Sequence, residues 1–208
     1  YEISACLVGS EMCIRDSLIG VTALIFIAKG NPLGQLLTVI FSLLYGIISF
    51  SCSYYGEMLT YLGMTMPMAV FSLISWLKNS YNGNKSEVKV QRLKPKEYIV
   101  TAVLAITVTT GFYFVLKYFN TANLIPSTLS VTTSFMAVFL TFKRSPFYAA
   151  WYAANDVILI VLWSLAVAEN ISYMSIVVCF VAFFANDIYG FANWKKMARR
   201  QTTIQTVV

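Results

Sequence analysis

Two asparagine–aspartate pairs stand out in this chain of 208 residues: Asn155-Asp156 and Asn186-Asp187, each inside a long apolar run. A charged side chain at mid-bilayer costs at least about 2.5–3.5 kcal/mol, so membrane helices keep one only where it faces a cavity or a partner. Helical spacing sorts the neighbouring residues by face. Trp151, Asn155 and Trp163 fall on one stripe, and Asn186, Tyr189 and Asn193 on another, with Asp187, Gly190 and Trp194 beside it. Amides and a phenol among indole rings suit a ligand that is both aromatic and sugar-like. The rings stack and exclude water, while Asn and Tyr satisfy hydroxyls and an amide. An indole face or a carboxylate also favours a cationic ring. The candidate substrate-binding residues are therefore Trp151, Asn155, Asn186, Tyr189, Asp187 and Asn193. Structural readings stand beside these: membrane asparagines also hydrogen-bond neighbouring helices, and Asp156 and Asp187 could be protonated or paired with bases of the inner loops. Trp76 before Lys78, and Trp194 before Lys195-Lys196, read as interfacial anchors.

The composition excludes much other chemistry. There is no histidine, which removes the commonest general base and the commonest metal ligand. Cys6, Cys13, Cys52 and Cys179 lack paired metal-ligand spacing. No catalytic residue, metal site or cofactor is expected, and the chain does not read as an enzyme. A retinal-type receptor needs a mid-membrane lysine in its last span, and none precedes Lys195 there. A seven-helix receptor of another kind, or a structural membrane protein, is the remaining alternative, though it gains nothing from Asn-Asp pairs in two spans.

The residues are 58% apolar and only 12% charged, against roughly 25% charged in soluble domains. Backbone polar groups in hydrocarbon must be satisfied internally, so spans are helices or closed barrels; strand-type alternation is absent, which leaves helices. Apolar runs fall at about 18–28, 33–50, 58–77, 98–119, 124–142, 147–168 and 171–194. Residues 1–17 look like a translated adaptor fused to a shortened first span, and are set apart from the fold. The expected organisation is a first three-helix bundle over 18–77, a basic cytoplasmic loop over 78–97 and a linker helix over 98–119. A second three-helix bundle follows over 120–194, then a cytoplasmic basic tail over 195–208. Pro67 is expected to kink the third span.

Net charge is +6, carried by short loops rather than by a nucleic-acid-binding face. Apart from Lys117 and Arg15, every lysine and arginine falls on one side of such a seven-span chain. The positive-inside rule makes that side cytoplasmic, with the N-terminus outside and the C-terminus inside. The two ends also repeat: Lys29-Gly30-Asn31-Pro32 matches Lys143-Arg144-Ser145-Pro146, Tyr55 matches Tyr173, and Trp76 matches Trp194. The offset is 114 at the prolines and 118 at the tyrosines and tryptophans. Bundles separated by one linker span run in the same direction, so the repeats are parallel.

At Trp151-x-x-x-Asn155-Asp156, Trp163, and Asn186-Asp187-Ile188-Tyr189-Gly190-Phe191-Ala192-Asn193-Trp194 the chain resembles the nicotinamide riboside transporter (PnuC) family, over about residues 18–200. The resemblance implies an all-α integral membrane protein of seven transmembrane helices, two parallel three-helix repeats around a linker (3+1+3), related to the SWEET sugar transporters. It further implies a homotrimer in the inner membrane. Its function would be facilitated diffusion of a vitamin-type nucleoside, most simply nicotinamide riboside for NAD biosynthesis. The expected partners are this small molecule and the lipid bilayer. Where the second repeat reads Ala185-Asn186-Asp187-Ile188-Tyr189, the first reads Pro67-Met68-Ala69-Val70-Phe71. Relatives commonly keep an asparagine there, so thiamine, riboflavin or a deoxynucleoside stay open as cargo.

Overall fold

The computed structural model describes residues 19–51, 60–119, 123–169, 171 and 174–207. The adaptor-like segment 1–17 and the paired landmarks Tyr55 and Tyr173 lie outside the described residues. Helix α1 is Ile19–Ala28 and α2 is Leu33–Ser51. Helix α3 opens with a π-helical turn, Tyr61–Thr65, and continues as Met66–Lys78. A hairpin of β1 (Ser80–Tyr81) and β2 (Asn84–Val88) follows. Then come α4 (Pro95–Tyr118), α5 (Leu124–Phe142), α6 (Tyr148–Glu169) and α7 (Met174–Val207). Stretches in α4 to α7 are long and apolar enough to cross a bilayer, while Ile19–Ala28 and Leu33–Leu44 are shorter apolar helices. The chain is a helical membrane protein. In α3, Pro67 lacks the N–H that would continue the helical ladder, and the widened turn sits immediately ahead of it.

Helices α1 and α5 end in the same way. Gly30 sits at φ 71°, and the N–H groups of Gly30 and Asn31 donate to the Ile27 and Phe26 carbonyls, each at 2.9 Å. Arg144 sits at φ 57°, and Arg144 and Ser145 donate to Thr141 and Leu140, each at 3.0 Å. Both are left-handed helix caps that satisfy carbonyls orphaned at a helix end. Glycine adopts that conformation freely, whereas arginine pays about 1 kcal/mol or more for it. Arg144 recovers contacts: its guanidinium donates to Gln91 Oε1 at 2.5 Å, and its carbonyl accepts from Gln91 N at 3.0 Å. Partial burial pushes this guanidinium below the usual arginine value, though not so far that it loses its charge near neutral pH. After the first cap, Gly34 lets α2 lie against α1; a Cβ there would stand 2.6 Å from Ile27 N.

The two tryptophans expected at the lipid boundary are instead buried, with no exposed surface at either Trp76 or Trp194. Their ring centroids lie 5.3 Å apart, and each indole crosses to the far end of another helix. Trp76 Nε1 donates to Thr141 O of α5 at 2.9 Å; Trp194 Nε1 donates to Ile27 O of α1 at 2.9 Å. The residue before each does likewise: Ser75 Oγ donates to Phe142 O at 3.2 Å, and Asn193 Nδ2 to Ala28 O at 2.8 Å. The interfacial-anchor reading fails because these carbonyls, one turn from a helix end, need donors that lipid cannot provide. An indole N–H supplies one while its ring fills the space between helices.

The basic loop is also folded. Asn82 (φ 49°) and Gly83 (φ 76°) form its turn, as two-residue hairpins require. Val88 is fully buried among Trp76, Trp194 and Met197, and its N–H donates to Gly30 O at 3.0 Å. The tail is no loose appendage but the last turns of α7. Gln201 accepts from Val90 N at 2.8 Å and donates to Val88 O at 3.1 Å and to Glu87 Oε1 at 2.9 Å; Arg200 pairs with Glu87. The α1–α2 turn, hairpin, α5–α6 turn and end of α7 thus meet at one end of the molecule. Helix α4 starts earlier than the hydrophobic run, at Pro95, with Glu97 Oε2 capping Lys94 N at 2.8 Å and Glu97 Oε1 pairing with Lys143 at 3.1 Å. Along its length Thr101, Ala105 and Leu116 are buried, and Thr109 meets Thr132 of α5 at 2.9 Å. Its other faces expose Ile99, Val103, Ile106 and Phe114, as a helix facing lipid does.

Apolar surface gains little by leaving lipid for a helix interface, so interhelical hydrogen bonds carry weight there, at about 0.6 and up to about 1.7 kcal/mol each. Trp76→Phe and Trp194→Phe should each lower stability to detergent denaturation by about that much. Measured together they should be non-additive, because the rings touch.

Candidate functional site

Helices α6 and α7 pack along much of their length, and α5 backs α6. One face of α6 presents Tyr148, Tyr152 and Asp156 at successive turns; the facing stripe of α7 is Asp187, Gly190 and Trp194. Tyr148 is buried, edge-on to Trp194 (centroids 5.0 Å, 70°) and to Tyr152 (6.1 Å, 81°). Gly190 leaves room for the Tyr148 hydroxyl of α6 and for Ala28 of α1, since a Cβ there would lie 3.3 Å from Tyr148 Oη and 3.4 Å from Ala28 Cβ. Gly190 thus has a packing role within an unbroken helix.

Above this contact the Asp156 and Asp187 side chains lie against each other. Asp156 is 5% exposed and Asp187 4%, and Asp156 Oδ2 is buried without a hydrogen-bond partner among the described residues. Tyr152 sits beside both carboxyls, with Thr141 of α5 and Tyr61 of α3 close by. The alternative in which these acids pair with loop bases is not met among the described residues, whose salt bridges join Lys143 to Glu97 and Arg200 to Glu87.

The remaining sequence-derived candidates divide. Asn155 is buried beside Asp156, and its Oδ1 accepts from Ser130 Oγ and Thr133 Oγ1 of α5, each at 2.9 Å. Trp151 is half-buried against the Tyr148–Trp194 cluster. Asn186 is half-buried, with its side chain near the Asp187 carboxyl. Asn193 is held by Ala28 at the end that carries the hairpin, and Tyr189 is 51% exposed. Trp151, Asn186 and Asp187 are therefore brought to the α6–α7 seam; Asn155 lies on the side of α6 that faces α5, Asn193 lies lower and Tyr189 points away from the seam. The sequence reading missed Tyr148, Tyr152, Ser130 and Thr133; the Tyr-x-x-x-Tyr-x-x-x-Asp spacing of α6 is the signal that marks the first two.

A family model described as "Nicotinamide mononucleotide transporter" matches residues 12–196. The chain belongs to that family. The resemblance read from Trp151-x-x-x-Asn155-Asp156 and the α7 segment is thereby borne out. The nicotinamide riboside transporter PnuC of Neisseria mucosa is 24% identical over 188 residues, covering 88% of this chain and 71% of that protein. Its namesake from Haemophilus influenzae is 21% identical over 193 residues, covering 92% and 82%. A crystal structure of the vitamin B3 transporter PnuC shares the fold, with a TM-score of 0.75 and 22% identity over 96% of this chain and 88% of that one.

Two buried acids facing each other cost stability that an amide would relieve. Asp187→Asn should therefore raise the melting temperature of the purified protein, by giving Asp156 a donor. A lower melting temperature would mean that the carboxyl pair itself holds α6 to α7.

Proposed function

We propose that this protein carries out facilitated uptake of nicotinamide riboside across the inner membrane, feeding NAD biosynthesis. The observation that carries this reading is the make-up of the α6–α7 seam, which holds no basic side chain. It combines indole, phenol and amide groups with the Asp156–Asp187 pair, while α6 has no lysine or arginine and α7 has none before Lys195. A cationic pyridinium ring on a ribose complements such walls. A nucleotide phosphate does not, since phosphate recognition draws on Arg, Lys or a helix N-terminus. The family description names the mononucleotide and the relatives name the riboside; a seam without basic side chains favours the riboside.

Trp151, Asn155, Asn186 and Asp187 form the ligand-binding set in this reading. Tyr189, exposed on α7, and Asn193, tied to Ala28, become contacts only on rearrangement. The bundles 18–77 and 120–194 act as parallel repeats around the linker helix, and rock to give alternating access. Support comes from the inner end, where Trp76 reaches Thr141 and Trp194 reaches Ile27. These bonds are exchanged by the same offsets, 114 and 118, that relate the repeats in sequence. On this account they close the cytoplasmic mouth and open once per turnover. The basic end lies in the cytoplasm with the C-terminus, and the protein works as a homotrimer.

Proteoliposome uptake of labelled nicotinamide riboside tests the function, with competition by the mononucleotide, thiamine, riboflavin and a deoxynucleoside. Nicotinamide riboside should accumulate to equilibrium without an ion gradient, and the mononucleotide should compete at least about tenfold less well. Trp151→Ala and Asn186→Ala should each reduce uptake about tenfold or more. Preference for the mononucleotide would sink the charge argument, and full activity in both variants would sink the site.

A further inference from the structure

An asparagine side chain has a donor end and an acceptor end, and a binding site that uses it must settle which one meets the ligand. Asn155 Oδ1 accepts two hydroxyl hydrogen bonds from α5, Ser130 Oγ at 2.9 Å and Thr133 Oγ1 at 2.9 Å. Those bonds occupy both lone pairs of the amide oxygen. The amide nitrogen donates to no partner among the described residues, while the residue is 93% buried by its 7% exposure. Thr133 is itself buried; it has one hydroxyl proton, and giving it to Asn155 leaves the Leu129 and Ser130 carbonyls, each 3.0 Å away, to the helix's own N–H groups. A β-branched side chain has few rotamers in a helix, so its hydroxyl is a fixed reference point. Ser130 and Thr133 are three residues apart and share the face of α5 that meets α6.

From this we infer that Ser130 and Thr133 are positioning residues: they orient Asn155 so that it offers only N–H donors, which selects a ligand bearing a hydrogen-bond acceptor at that point. This rests on Asn155 being a ligand contact, as proposed above. For a pyridinium riboside the acceptor is the ring carboxamide oxygen or a ribose hydroxyl oxygen. Without the two hydroxyls the amide turns freely and presents its oxygen as readily as its nitrogen. The ligand then loses the advantage of a preset donor, while the walls of the site are unchanged.

The test compares binding and uptake of nicotinamide riboside and of an unsubstituted pyridinium riboside in wild type, Ser130→Ala, Thr133→Val, Thr133→Ser and Asn155→Ala. Thr133→Val should raise the half-saturating concentration of nicotinamide riboside about tenfold with little change in maximal rate. Ser130→Ala, at a less buried position, should act in the same direction, and Thr133→Ser should restore most of the affinity. In the Asn155→Ala background Thr133→Val should have no further effect. A loss confined to nicotinamide riboside identifies the carboxamide oxygen as the acceptor, and an equal loss for both ligands identifies the ribose. If Asn155→Ala weakens binding but neither hydroxyl deletion does, the positioning role is wrong and the site stands. If Asn155→Ala leaves binding unchanged, the site assignment falls and takes this inference with it.

Discussion

Carbonyl groups at the end of a membrane helix have no helical partner, and lipid gives them none. In this fold the last carbonyls of α1 and α5 are satisfied from elsewhere. Each receives a backbone donor from its own left-handed cap and a side-chain donor from a distant helix, with α7 serving α1 and α3 serving α5. Because the donors are indoles, the same residues that satisfy the carbonyls also fill the centre of the end that carries the hairpin. Val88, Tyr148 and Met197 pack around them. The turns, hairpin and helix ends at this side are placed by that arrangement.

The seam above follows from it. Once Trp194 is drawn to Ile27, the rotation of α7 is set, and Gly190 and Asp187 must face α6 rather than lipid. Gly190 leaves room for Tyr148 and Ala28, and Asp187 is carried against Asp156. Asn155 is held from behind by α5. The site is thus made by three helices whose relative rotation is fixed below it, and it carries polar groups that are not all satisfied by the protein alone.

Much of this was legible in the sequence. Long apolar runs with polar breaks marked the helices, and the family resemblance was carried by residues of α6 and α7. The matched Lys-x-x-Pro segments, read as breaks between spans and as repeat landmarks, are where the structure places the two caps at Gly30 and Arg144. The role of the tryptophans was not legible, because an indole next to lysines has the same local signature whether it faces headgroups or a helix end. Nor was the choice between the Asn186-Tyr189-Asn193 and Asp187-Gly190-Trp194 stripes. Both carry polar and aromatic residues at helical spacing, and packing at Gly190 decides between them. Ser130 and Thr133 escaped notice since hydroxyls are common in membrane helices and commonly bond their own backbone.

Helix α7 joins two places that otherwise have little to do with each other. From Asp187 to Gln201 it runs without a break, about 21 Å at 1.5 Å per residue, and its only glycine in the chain segment, Gly190, is wedged between Tyr148 and Ala28. One end of this rod carries a carboxyl in the membrane interior; the other grips the hairpin through Gln201. A stiff rod pinned at Gly190 behaves as a lever. Any tilt of the segment around Asp187 would move the hairpin with it, because Gln201 is bonded to Val88 and Val90.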